Sequence, residues 1–225
     1  MLKKIIKKFL RQPIVFEDLS RTDPVSRLFG FDRGTPIDRY YMDNFLAKNY
    51  KDIHGIVLEI AENTYSKKFG SNVSSYEILH FDSSNENATI IGDLTDPGTL
   101  PEEKIDCFIC TQTLNFIFDV QKAIFGCHRL LRKGGVLLCT VSGISQISRY
   151  DMDRWGDYWR FTDLSIRKLF ESVFNKNNIE ITTFGNALTA TAFLQGLAVE
   201  DFTDTKTFDK HDLDYQITIA VRAVK

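Results

Sequence analysis

Gly55-Ile56-Val57-Leu58-Glu59-Ile60-Ala61-Glu62-Asn63-Thr64-Tyr65 is the stretch that decides the fold. An apolar run from Ile56 to Ile60 carries one acid and then breaks into a polar loop, as the first parallel strand of a nucleotide-binding α/β domain does. In such sheets ligands collect beyond the carboxyl ends of the strands, where strand order reverses, so Glu59 and Ala61 mark a candidate site. A glycine-rich turn would let the backbone approach a ligand closely. Here Ala61, Asn63 and Tyr65 stand where an E-x-G-x-G-x-G pattern has glycines. Taken alone, the stretch also reads as a buried strand with no ligand role.

The neighbouring segments repeat the pattern. A second strand over Tyr76–Phe81 ends at Asp82, whose carboxylate suits a ribose because it accepts two hydrogen bonds without needing a donor of its own. Asp82 also suits a turn with Ser83 and Ser84. A third strand, Ala88–Ile91, runs into Gly92-Asp93-Leu94. A fourth, Ile105–Thr111, ends at Thr111-Gln112-Thr113. Asp119 is placed to cap a helix carrying Val120, Ala123, Ile124, Cys127, Leu130 and Leu131, which stops at Arg132-Lys133-Gly134-Gly135 before a strand over Val136–Val141. These lengths imply parallel crossovers and an α/β domain. Beyond a long loop, 142–162, the spacing predicts a helix capped at Thr162 or Asp163, a strand over Ile179–Phe184, a helix over Leu188–Leu197 and a last strand over Tyr215–Val221.

With 225 residues, 43% of them hydrophobic and 26% charged, the chain suits one globular domain over 51–225 behind an extension over 1–50. A net charge of −2 argues against a nucleic-acid-coating protein. Cys107, Cys110, Cys127 and Cys139 fall in apolar patterns, which reads as core packing in a reducing, cytoplasmic setting; no metal site is expected. The spacing of residues 1–12 predicts a basic amphipathic helix, either an interfacial contact with anionic lipid or a membrane-bound partner, or a helix docked on the domain. The segment up to Tyr50, rich in turn formers and aromatics, suits a cover over the ligand cleft.

Taken together, Leu58-Glu59-Ile60, Asp82, Gly92-Asp93-Leu94, Ile105-Asp106-Cys107-Phe108-Ile109 and Leu130-Leu131-Arg132-Lys133-Gly134-Gly135-Val136-Leu137 resemble the class I S-adenosylmethionine-dependent methyltransferases, in particular small domains of the type 11 kind. The resemblance implies a single Rossmann-like, doubly wound sheet of seven strands, mostly parallel with an antiparallel last strand. It further implies S-adenosylmethionine as cofactor, held at Glu59, Ala61, Asp82, Asp93, Leu94, Thr111 and Gln112. The loop Gly156-Asp157-Tyr158-Trp159-Arg160-Phe161-Thr162 is similar to members found alongside glycosyltransferases in surface-polysaccharide or modified-sugar pathways. It implies a small-molecule or glycan acceptor, such as a sugar hydroxyl.

For that acceptor the residues offer Tyr40, Tyr158, Trp159 and Arg160 as contacts and Asp157 as a proton acceptor. Two other classes compete. One is a nucleotide-sugar glycosyltransferase using Asp151 and Asp153 as a metal-binding pair. The other is a non-catalytic binding module that kept the fold. On the interfacial reading of residues 1–12, deleting them leaves the fold intact and abolishes sedimentation with anionic liposomes. The parent's binding should then weaken with added salt, since surface attraction is screened over about 10 Å at 0.1 M. Unfolding of the truncated protein would favour the docked helix instead.

Overall fold

The computed structural model describes residues 22–225, so the amphipathic segment 1–12 lies outside the described residues. Seven strands, β1 (Gly55–Ile60), β2 (Val73–His80), β3 (Ile90–Ile91), β4 (Ile105–Thr111), β5 (Leu131–Ser142), β6 (Ile179–Phe184) and β7 (Thr218–Val224), form one sheet. Their order is β3-β2-β1-β4-β5-β7-β6. The first five pair in parallel, while β7 is antiparallel to both β5 and β6. Among the described residues six α-helices flank the sheet: α1 (Ile37–Lys48), α2 (Thr64–Phe69), α3 (Val120–Leu130), α4 (Arg149–Met152), α5 (Asp163–Glu171) and α6 (Ala187–Leu194).

The central strands are buried on both faces, which is why they read as continuous apolar runs rather than alternating ones. On one face Leu58, Phe108, Cys110, Leu137 and Cys139 pack with residues of α3 and α5. On the other, Val57, Cys107, Ile109 and Leu138 pack with residues of α1 and α6. Cys107 and Cys110 therefore point into different cores, so their C-x-x-C spacing cannot bring the two thiols onto one ligand. Truncating a side chain as fully buried as Phe108 costs on the order of 3–5 kcal/mol.

Several boundaries differ from the sequence reading. β2 begins at Val73, and β3 has only two residues because the Ala88 amide is still held in a turn by the Asn85 carbonyl. β5 starts at Leu131, directly after α3, and runs through the predicted stop at Arg132–Gly135. There Gly134, at φ +81°, donates to the carbonyl of Lys225 while Gly135 accepts from the Lys225 amide, so the segment joins the sheet instead of leaving it. β7 lies three residues later than predicted, since the Gln216 and Ile217 carbonyls accept from Ile144 and Gly143 in the loop beyond β5. Arg222 on β7 ties the far edge together, with bonds of 2.7 and 2.9 Å to Asp52 and 3.0 Å to Glu180.

At the tip of β1, Glu59 is 2% exposed. Its carboxylate accepts the amides of Tyr65 at 3.1 Å and Ser66 at 2.7 Å, together with the Ser66 hydroxyl. These are the orphan donors of the first turn of α2, and an acid there also faces the positive end of the helix. Burial pushes the Glu59 carboxyl above its ordinary range, against the pull of the Ser66 hydrogen bonds. A raised folded-state pKa favours stability at low pH and loses that contribution as pH rises through it. The donors, however, stay buried at any pH. Glu59→Ala should therefore lower the urea midpoint by an amount equivalent to about 1–3 kcal/mol, with Glu59→Gln intermediate. Equal midpoints for Ala and parent would remove this role.

Candidate functional site

The strand order reverses between β1 and β4, and a cavity of about 610 Å³ opens there at the carboxyl ends of β1, β2 and β4. Two residues on its wall carry backbone strain at the tips of adjacent strands: Ala61 at φ +65° and Gln112 at φ +48°. Non-glycine residues in the left-handed region cost roughly 1–2 kcal/mol, and such strain concentrates at functional sites. Ala61 thus keeps the turn that a glycine would supply. The Ala61 amide donates to Leu79 at 3.0 Å, and its carbonyl accepts from Asn85 at 2.7 Å.

Asp93 and Leu94 form another wall. Asp93 Oδ1 accepts from the Thr95 amide at 2.7 Å and the Thr95 hydroxyl at 2.9 Å, which fixes the carboxylate's direction. Behind it α3 presses close. A Cβ on Gly126 would lie 2.1 Å from the Leu94 carbonyl oxygen, so only glycine permits that approach. Gln112 closes the floor: its Oε1 accepts from Ser142 at 2.7 Å, while its Nε2 is buried and has no partner among the described residues. Phe118, Trp155 and Tyr158 overhang as an aromatic roof.

A second cavity of about 500 Å³ adjoins the first and shares Gln112, Phe116 and Asp151 with it. Asp38 and Arg39 of α1, Thr111 of β4 and Ser142 of β5 line it, with Asp157 and Arg160 from the long loop. Asp157 is not free to act as the predicted proton acceptor. Arg160 donates to both its oxygens, at 2.6 and 2.8 Å, and the Ser148 amide donates at 2.9 Å. Burial opposes ionisation of Asp157, yet the Arg160 and Ser148 bonds prevail and hold its carboxyl below the usual range. Arg160 is likewise spent, donating also to the carbonyls of Gln146 and Trp159.

Of the predicted site residues, Ala61, Asp93, Leu94, Gln112 and Tyr158 line the first cavity and Thr111, Asp157 and Arg160 the second. The others lie elsewhere. Glu59 faces α2. Asp82 sits two residues past β2, accepting from the Ser84 amide at 2.9 Å and pairing with His80 at 3.1 Å, so that His80 and Phe81 take the wall instead. Tyr40 packs on Tyr41 and Phe208, and the Trp159 indole donates to the carbonyls of Ile117 and Phe118. Tyr65, in a position the motif gives to glycine, turns away to accept from Arg39 at 2.7 Å. Asp151 lines the cavities, but Asp153 is exposed at the end of α4 and lines neither. Sequence reading missed Asp38, His80 and Phe81. The last two continue the strand pattern, and Asp38 lies in the turn-rich segment before Tyr50, where a single acid carries no signal of its own.

Residues 53–139 match the family model described as "Methyltransferase domain". No curated protein matches the chain. Among solved structures, a SAM-dependent methyltransferase from Archaeoglobus fulgidus superposes with a TM-score of 0.52 at 10% identity, covering 83% of this chain and 94% of that one. A Haemonchus contortus phosphoethanolamine N-methyltransferase 2, in complex with S-adenosyl-L-methionine, gives 0.54 at 13%, covering 95% and 60%. The [4+2]-cyclase SpnF gives 0.54 at 13%, covering 86% and 84%. Likeness at such identities speaks for the fold alone.

The loop geometry generates a pH test. Because the folded-state pKa of Asp157 is depressed, its stabilising contribution is present above the unfolded carboxylate pKa and is lost as pH falls through the folded value. Asp157→Asn should melt several degrees below the parent at pH 7, and the two curves should converge as the solution is acidified below about pH 4. A gap that persists unchanged into acid would mean that the charge is not what holds the loop.

Proposed function

Residues 53–139 being a methyltransferase domain of the class I S-adenosylmethionine-dependent kind, we propose that the protein methylates a hydroxyl of a small polar acceptor such as a sugar. The observation that carries this reading is the pair of adjoining cavities with Gln112 on their common wall. One is mostly apolar with an aromatic roof and a few polar groups, as a nucleoside site needs. The other is rich in hydroxyl, amide and charged side chains, as a polyhydroxylated acceptor needs.

The first cavity fits S-adenosylmethionine. Its buried Gln112 Nε2 offers a donor that no described residue takes up, and the Ala61 turn and Gly92 bring bare backbone to the wall. We assign the Asp93 carboxylate to the adenine amino group, Leu94 and Phe81 to the faces of the base, and Asp82, off the wall but next to the lining residue Phe81, to the ribose hydroxyls, which it would reach by leaving its contact with His80. When bound, the cofactor supplies an electrophilic methyl group on a positively charged sulfur. The chain's own contribution is position: aligned reactants gain up to roughly 7–11 kcal/mol without any dedicated base. Tyr158 and Trp155 exclude water from above, and the Asp157–Arg160 pair fixes the loop that carries them.

A [4+2]-cyclase shares the fold, so the fold by itself does not require methyl transfer. Calorimetric titration with S-adenosylhomocysteine tests the site. Asp93→Ala should weaken binding tenfold or more, Asp93→Asn less, and Asp82→Ala about tenfold, each variant remaining folded. Undiminished affinity in both alanine variants would sink the assignment. A screen for methylated products over hydroxylated acceptors separates transfer from mere binding.

A further inference from the structure

The second cavity belongs to a protein of net charge −2, yet Arg27, Arg39, Arg149 and Arg160 all face it, against Asp38, Asp151 and Asp157. The charges do not cancel evenly. Arg160 and Asp157 neutralise each other as a two-pronged pair. Asp151 accepts the Ser148 hydroxyl at 2.5 Å, and Asp38 accepts the Arg39 amide at 2.8 Å.

The remaining guanidiniums have weaker claims on them. Arg39 donates to the neutral Tyr65 hydroxyl at 2.7 Å. Arg27 reaches Asp23 in a pair whose side chains are both 75% exposed, so water and salt screen it. Arg149 makes no side-chain hydrogen bond or ion pair among the described residues. Around them stand Thr111, Asn115, Ser142 and Ser145, groups that suit hydroxyls.

We propose that this cavity takes an acceptor bearing a phosphate or carboxylate, gripped by Arg27, Arg39 and Arg149 while its hydroxyl lies toward the wall shared with the first cavity. The proposal rests on the second cavity being the acceptor site. Planar guanidiniums recognise such anions through paired N–H donors, and a local positive field in an acidic protein steers an anion to this one place. Burial pushes the Asp38 carboxyl up, against the pull of the Arg39 charge beside it.

Glycerol 3-phosphate, glycerate and glycerol, titrated by calorimetry into protein saturated with S-adenosylhomocysteine, give the test. Either anion should bind at least tenfold tighter than glycerol. Arg149→Gln and Arg27→Gln should each weaken the anions by about tenfold, leaving affinity for S-adenosylhomocysteine unchanged. Lys168→Gln, which removes an exposed charge on α5 outside the cavity, should change nothing. Whichever anion binds tighter identifies the group that the cavity prefers. The proposal is overturned if the anions bind no tighter than glycerol, or if the Arg27→Gln/Arg149→Gln double variant keeps the parent's anion affinity. Failure of S-adenosylhomocysteine to bind the parent would instead strike the methyltransferase reading, and the anion preference would then be judged on the protein alone.

Discussion

A carboxylate at the end of the central strand sets the geometry of everything above the sheet. Glu59 leaves β1 with nowhere to go but a turn, and the amides of Tyr65 and Ser66 fold back onto it. Desolvating an acid is costly, so the position holds only because those donors converge. The turn they define forces Ala61 into the left-handed region and swings Tyr65 toward Arg39. One buried charge thereby clears the space that a bound nucleoside would occupy, and it does so without glycine.

The division of labour between the two cavities follows from the layers beneath them. Strand tips β1, β2 and β4 and the Gly92–Thr95 turn build the first from rigid elements, pinned from behind by the tight approach of α3 at Gly126. The second draws on α1, the segment before it and the long loop, whose shape depends on polar ties such as Asp157–Arg160. Sites on rigid elements are fixed by the fold, whereas sites on loops vary between relatives that share it. Under the proposed assignment the cofactor falls to the rigid cavity and the acceptor to the variable one.

That contrast also explains what the sequence disclosed. The apolar runs at Ile56–Ile60, Ile105–Thr111 and Val136–Val141 announce buried strands because both faces are covered. Gln112 is legible because it follows Ile105–Thr111 directly, and Asp93 because it stands one glycine beyond the short strand Ile90–Ile91. Asp82 lies outside the wall because β2 ends at His80 and the next two residues turn, a local event with no periodic signature. Asp157 and Arg160 looked chemical because both carry charge on a long loop, but their mutual pairing is a tertiary fact that spacing cannot state. Asp38 became visible only once α1 was seen to border a cavity.

Among the described residues, β6 pairs with no strand except β7, and β7 enters the sheet between β5 and β6. During synthesis, residues 179–184 leave the ribosome well before residues 218–224. Until the later segment arrives, β5 keeps an open apolar edge and β6 has no neighbour to add to. Long-range pairings of this kind are slow, and unpaired edges in the interval invite association with other chains. The edge of the sheet farthest from the first cavity is thus the last part of the sheet that can close.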